Sequence, residues 1–220
     1  MFVGHYGIAL AAKRLSPRTS LGWTFLAVQF LDVLWVPAIL LGIEHARMIP
    51  GYLPASNIKF TDFPWTHSLV MAIAWSWLVF RFSKSAVLGG CVFSHWVLDW
   101  VVHARDLPLY RGGPEVGLGL WHYRAGTLAV ESAILIAGLW VYLRATQAKT
   151  TMGRYGMIVF AGLLIAIDVA NLYGESSAAG NVGAGVIFAE VAYCTFAGIA
   201  YWLDRMREPL PEEGPVRLNI

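Results

Sequence analysis

The sequence predicts an all-α fold: a polytopic membrane bundle of six transmembrane helices, preceded by a short, half-inserted N-terminal helix. Three observations predict it. Of 220 residues, 57% are hydrophobic and only 14% charged, and mean hydropathy is +0.57; neither a soluble domain with a polar surface nor a disordered chain has this balance. Ten Trp, nine Tyr and eleven Phe supply aromatic side chains for two membrane interfaces as well as a core. Six apolar stretches each approach the ~20 residues a helix needs to cross ~30 Å of hydrocarbon.

The elements follow in chain order. The first twelve residues are apolar but too short to span, and the basic pair Lys13 and Arg14 that closes them is expected at the membrane surface. Apolar first and basic second is the reverse of a secretory signal peptide, so the segment is expected to be retained. The six spans are read at Ser20 to Ile43, Thr66 to Phe82, Ser85 to His103, Ala125 to Leu143, Tyr155 to Tyr173 and Val182 to Leu203. Residues 1–203 then form a single transmembrane domain. The charged, Pro-rich segment 204–220 (Pro209, Pro211, Pro215) is expected to be a disordered cytoplasmic tail.

Lys and Arg set the orientation. Lys13, Arg14, Arg18, Arg81, Lys84, Arg144, Lys149, Arg154, Arg205, Arg207 and Arg217 fall at one set of helix ends, and only Arg47, Lys59, Arg105, Arg111 and Arg124 at the other. The first set is therefore assigned to the cytoplasm, with both termini. The longest connections, Glu44 to Trp65 and Ala104 to Arg124, lie outside, where a functional lid is expected. No internal repeat of the kind found in two-halved secondary transporters is present.

Several classes drop out. A net charge of +2 without Lys/Arg runs or zinc-finger spacing argues against nucleic acid. Cys91 and Cys194 are isolated in apolar surroundings and read as space-filling. The glycines of 112–119 lack the strand, helix and Lys of a phosphate loop and read as turns, and His45 and His122 as solvated loop residues.

Chemistry enters with the ionisable residues inside the spans. Asp32, Asp99, Glu131, Asp168 and Glu190 all fall there, and the interior of the spans contains no Lys or Arg. A charge at mid-bilayer costs ~2.5–3.5 kcal/mol even on the lenient insertion scale, so protonation, a wet cavity, histidine partners or a bound cation must neutralise them. The strongest local signal is 94–103, where His95, Asp99 and His103 recur at i, i+4, i+8 and form one helical stripe. Imidazole and carboxylate one turn apart are ligand types that zinc and similar divalent ions accept. Asp32 and His67 are the obvious further donors, and His5 can approach Asp32 from the N-terminal helix. His95 and His103 are ~12 Å apart along the axis, so His103 is assigned to a second ion, to a supporting position or to substrate.

Taken in order, Gly4-His5, Asp32, Thr66-His67-Ser68 and Ser94-His95 with Asp99 form a series. It resembles the membrane-bound metal-dependent hydrolases of bacterial inner membranes, in which an N-terminal Gly-His, a Pro-Asp-x-Asp element, an Arg-Gly-x-Thr-His-Ser element and Ser-His-x-x-x-Asp follow in that order. The resemblance covers Met1 to Asp99. It implies that His5, Asp32, His67, His95 and Asp99 are metal ligands or their immediate supports, with Ser68 and Ser94 hydrogen-bonding behind them. Two departures stand out: Leu31-Asp32-Val33-Leu34 has no second Asp, and Phe63-Pro64-Trp65 replaces the Arg-Gly. The first removes a carboxylate that a two-metal centre would use and the second an anion clamp, so metal binding is better supported than hydrolysis.

The functional expectation is an integral hydrolase of the bacterial cytoplasmic (inner) membrane. A divalent ion, most plausibly zinc, would activate water near neutral pH, with Glu131 or Asp168 as general base. A site near the outer boundary suits an amphiphilic substrate such as a lipid ester or phosphodiester, with membrane lipids as the surrounding partners. The alternatives are an ion or proton transporter that relays through the buried carboxylates and histidines, a haem protein using two of His67, His95 and His103, and a scaffold.

Overall fold

Small residues decide where the chain starts. Gly4, Gly7, Ala9 and Ala12 give α1 (Val3–Leu15) a narrow profile, and it lies inside the bundle, along α7 and against α2 and α6. The crossing with α7 has no room for side chains: a Cβ on Gly138 would overlap the Gly7 carbonyl, and one on Gly7 would overlap the Ile134 carbonyl. Backbones this close need glycine on both sides. The computed structural model describes residues 1–174 and 182–211.

Nine α-helices are present among the described residues, and three of them are long and apolar enough to cross a membrane: α7 (Arg124–Ala145), α8 (Thr151–Tyr173) and α9 (Val182–Asp204). They coincide with the fourth, fifth and sixth expected spans. The first expected span is two helices, α2 (Leu21–Val28) and α3 (Phe30–Leu40), bent by 53° across Gln29. Hydropathy is blind to this break, because apolar residues continue on both sides of it. The second expected span is also broken, into α4 (Pro64–His67) and α5 (Leu69–Ser83), where Ser68 turns extended (φ −71°, ψ 151°) and its hydroxyl caps α5 at Met71 N. α5 and the 17-residue α6 (Ala86–Val102) are shorter than a full span.

The chain is mostly rather than wholly helical. Among the described residues three two-stranded antiparallel sheets punctuate it: β1 (His45–Leu53) with β2 (Ser56–Asp62), β3 (Leu107–Pro108) with β4 (Glu115–Val116), and β5 (Thr146–Ala148) with β6 (Arg207–Pro209). The long loop expected from Glu44 to Trp65 is the first hairpin. Its tip rests on the short 3-10 turn Leu120–His122, with Ala55 N donating to Trp121 O at 3.0 Å. The β5–β6 pair lies at the opposite end of α7, ~33 Å away for 22 residues at ~1.5 Å each.

Two expectations about the basic end are corrected. Lys13 is buried instead of surface-exposed, because Asp204 accepts its ammonium at 2.6 Å and the Thr19 carbonyl accepts it at 3.0 Å. Asp204 itself is the last residue of α9, and the tail begins in order: Arg207 is held by Thr146 Oγ1 (2.7 Å), Gly153 O (2.7 Å) and Thr146 O (2.8 Å). The expectation of disorder at 212–220 lies outside the described residues.

Candidate metal centre

α6 supplies the nucleus. Its periodicity puts His95 and Asp99 on one face, with His95 Nε2 3.1 Å from Asp99 Oδ2. The helix ends at Val102 because His103 leaves helical geometry (φ −57°, ψ 147°), and segment 117–119 covers its end: Leu118 N donates to Trp100 O (2.8 Å) and Gly119 N to His103 O (2.7 Å). A side chain at Gly117 would overlap the Ala104 carbonyl. The His103 ring turns back, and its Nε2 stands 3.8 Å from the same Asp99 Oδ2.

Three other helices converge on that face. His67, the last residue of α4, places Nε2 3.3 Å from Asp32 Oδ1 and 3.8 Å from Asp99 Oδ2. Asp32 comes from the first turn of α3, just past the bend, with Oδ1 3.7 Å from His95 Nε2. His5 arrives on α1, its Nε2 3.3 Å from Asp99 Oδ1 and its ring stacked on His95 at 4.1 Å and 2°. All five residues expected to be metal ligands or supports are thus brought together. They form two overlapping groups, His5–His95–Asp99 and Asp32–His67–His95, and within each group the potential ligand atoms lie within 4.8 Å of one another. An aromatic wall from the hairpin and its neighbours flanks one side: Phe60 and Trp121 lie 4.8 and 4.4 Å from the His103 ring, and Phe63 lies 5.5 Å from His67. Asp32 is the most open member, with 19% of its side chain accessible against at most 4% for the four others.

The outward ring nitrogens of His95, His67 and His103 are engaged, and that of His5 is not. His95 Nδ1 meets the Val28 carbonyl at 2.7 Å, His67 Nδ1 meets Thr66 Oγ1 at 2.7 Å, and His103 Nδ1 meets Asp106 Oδ1 at 3.0 Å. Val28 closes α2, so the bend at Gln29 orients the His95 ring as well as redirecting the chain.

Other expected residues take different places. Ser68 caps α5, and Ser94 Oγ donates to Cys91 O at 2.7 Å within its own helix. Glu131 Oε2 accepts the Phe2 and Gly4 amides at 2.8 and 3.2 Å, a carboxylate seated at the N-terminus of α1. Asp168 is buried on α8 with Oδ2 unpaired, and neither acid belongs to a ligand group among the described residues. Three partners lie beyond the expected set. The Met1 ammonium bonds Asp99 Oδ1 at 2.6 Å, a cation other than Lys or Arg. Tyr193 Oη donates to Asp32 Oδ2 at 3.1 Å, and Glu44 lies behind Thr66. Thr66 was legible as the neighbour of His67; nothing local marks Tyr193 or Glu44.

Comparison of the chain with protein-family models, curated proteins and solved structures gives no match.

The donor set itself fits a divalent ion. His95 Nε2 and both His5 ring nitrogens are buried without a hydrogen-bond partner. With Nδ1–H donated to Val28, the neutral His95 ring turns its Nε2 lone pair toward a carboxylate oxygen at 3.1 Å. Two acceptors at that separation repel unless a proton or a metal cation lies between them. Buried nitrogen and carboxylate donors whose outer ring atoms are hydrogen-bonded are the arrangement that zinc and related ions use.

Proposed function

We propose that this protein is an integral membrane metal-dependent hydrolase, with a divalent ion, zinc by preference, held by His95, Asp99, His67 and Asp32 and completed or supported by His5. The observation that carries this reading is His95: fully buried, its Nδ1 committed to Val28 and its unpaired Nε2 directed at Asp99 and Asp32. When bound, such an ion supplies a Lewis acid that polarises a scissile carbonyl or phosphoryl oxygen and makes water a nucleophile near neutral pH.

The chain's own residues do the rest. Val28, Thr66 and Asp106 orient three imidazoles. The aromatic wall limits water on one side, and the accessible edge of Asp32, steadied by Tyr193, is the side from which substrate enters. Glu131 secures the start of α1, and a base role for it or for Asp168 requires an intervening water that connects it to the cluster. An amphiphilic, lipid-like substrate suits a site at the hairpin end of apolar helices, and the excess of Lys and Arg at the other end puts the cytoplasm there, in a bacterial inner membrane with the end of α9 inside; the expected cytoplasmic N-terminus does not fit, because Met1 is held within the bundle against Asp99. His103, beside Asp99 and the aromatic wall, is placed to meet the substrate.

Metal analysis tests the reading. Protein purified in detergent is expected to hold about one or two zinc-class ions per chain. His95→Ala should lose them while keeping its helical circular dichroism. A metal-free wild type that retains full hydrolytic activity refutes the proposal.

A further inference from the structure

Glu44 ends the turn after α3, immediately before β1, and lies 22 residues upstream of Thr66. It is buried, and both of its carboxylate oxygens are used. Oε1 accepts the backbone amides of Trp65 and Thr66 at 2.7 and 2.9 Å, which anchors the start of the four-residue α4. Oε2 accepts the Thr66 hydroxyl at 2.6 Å. That contact settles where the Thr66 proton goes. A hydroxyl has one proton, so Thr66 Oγ1 meets His67 Nδ1, 2.7 Å away, as an acceptor. His67 must then carry a proton on Nδ1, and in the neutral ring that leaves the lone pair on Nε2, the nitrogen that faces Asp32 and Asp99.

We infer that Glu44 and Thr66 are positioning residues, a hydrogen-bonded relay that holds His67 as the Nδ1–H tautomer with Nε2 presented to the cluster. The consequence for metal affinity rests on the metal-centre reading above; the tautomer assignment stands on hydrogen bonds alone. Because the same carboxylate anchors α4 and sits at the root of the β1–β2 hairpin, the relay also ties the orientation of His67 to the segment that covers the site.

Substituting the carboxylate isosterically reverses the relay. In Glu44→Gln, the side-chain carbonyl is retained by the two α4 amides and the NH₂ group takes the position of Oε2, where it donates to Thr66 instead of accepting from it. The Thr66 proton then turns to His67 Nδ1, and the ring proton moves to Nε2, which faces the cluster. Thr66→Val removes the relay, and Thr66→Ser preserves it.

Side-chain ¹⁵N NMR of histidine-labelled, metal-free protein in detergent reads the tautomer directly. Wild type and Thr66→Ser should show His67 protonated at Nδ1 and bare at Nε2, Glu44→Gln the reverse, and Thr66→Val a mixture, with the His95 signals unchanged in all four as the check on folding. Zinc affinity by chelator competition should fall about ten- to a hundredfold in Glu44→Gln and Thr66→Val and recover in Thr66→Ser. An Nε2–H His67 in the wild type, or a Glu44→Gln protein with a wild-type tautomer, overturns the relay. If the tautomer pattern holds while wild type binds no zinc, the relay is upheld and the metal-centre reading is the one that fails.

Discussion

At the scale of single residues, the chain invests charge in two places. One is the cluster around Asp99. The other is the Lys13–Asp204 pair, where the carboxylate also accepts the Leu21 amide at 3.1 Å and the Tyr142 hydroxyl at 3.2 Å. A buried pair adds little net stability compared with apolar residues of the same volume, but removing one partner leaves an unpaired charge and costs about 3–5 kcal/mol. Lys13→Met is therefore expected to lower the thermal midpoint in detergent sharply, and Lys13→Met with Asp204→Leu to recover most of the loss. Scanning fluorimetry of the two variants checks this, and an additive double variant would count against the pair. The sequence marked Lys13 only as a basic residue after an apolar run. Its partner lies 191 positions away, and no local pattern encodes that distance.

At the scale of elements, the decisive contact is the α1–α7 crossing. It places His5 beside His95 and brings the start of α1 within reach of Glu131. A side chain at Gly138 must push α1 outward, so Gly138→Val is expected to destabilise the fold by about 1–3 kcal/mol or more and to weaken metal retention through displacement of His5. Gly162→Ala is the matched control: nothing lies within 4 Å of its Cβ position on α8, and the better helix propensity predicts a neutral change or a gain of up to ~1 kcal/mol. Urea titration with parallel metal analysis separates the two. The stripe on α6 was legible in the sequence because helical periodicity alone relates His95 to Asp99. The breaks at Gln29 and Ser68 were not, because each interrupts a run whose hydropathy continues unchanged. Both shape the cluster, since one orients the Val28 carbonyl toward His95 and the other ends the short helix that delivers His67.

At the scale of the whole molecule, the β1–β2 hairpin and the β5–β6 pair mark opposite ends of the helices. If the excess of Lys and Arg at the β5–β6 end sets the topology, a cysteine replacing Lys59 in the hairpin should react with a membrane-impermeant maleimide in intact cells. One replacing Lys149 should react only after permeabilisation. Labelling of both sites from one side would reject that orientation.

Apolar composition determined that this chain is mostly helical and membrane-suited, and helical spacing determined that His95 and Asp99 act from one face, because both properties depend only on residues near in sequence. Tertiary structure alone decided that His5, Asp32 and His67 reach that same face, that Lys13 is paired, and that Glu44 stands behind His67. Those contacts join residues 20 to almost 200 positions apart. They are set by where glycines let backbones touch and where helices break, quantities that neither hydropathy nor periodicity measures.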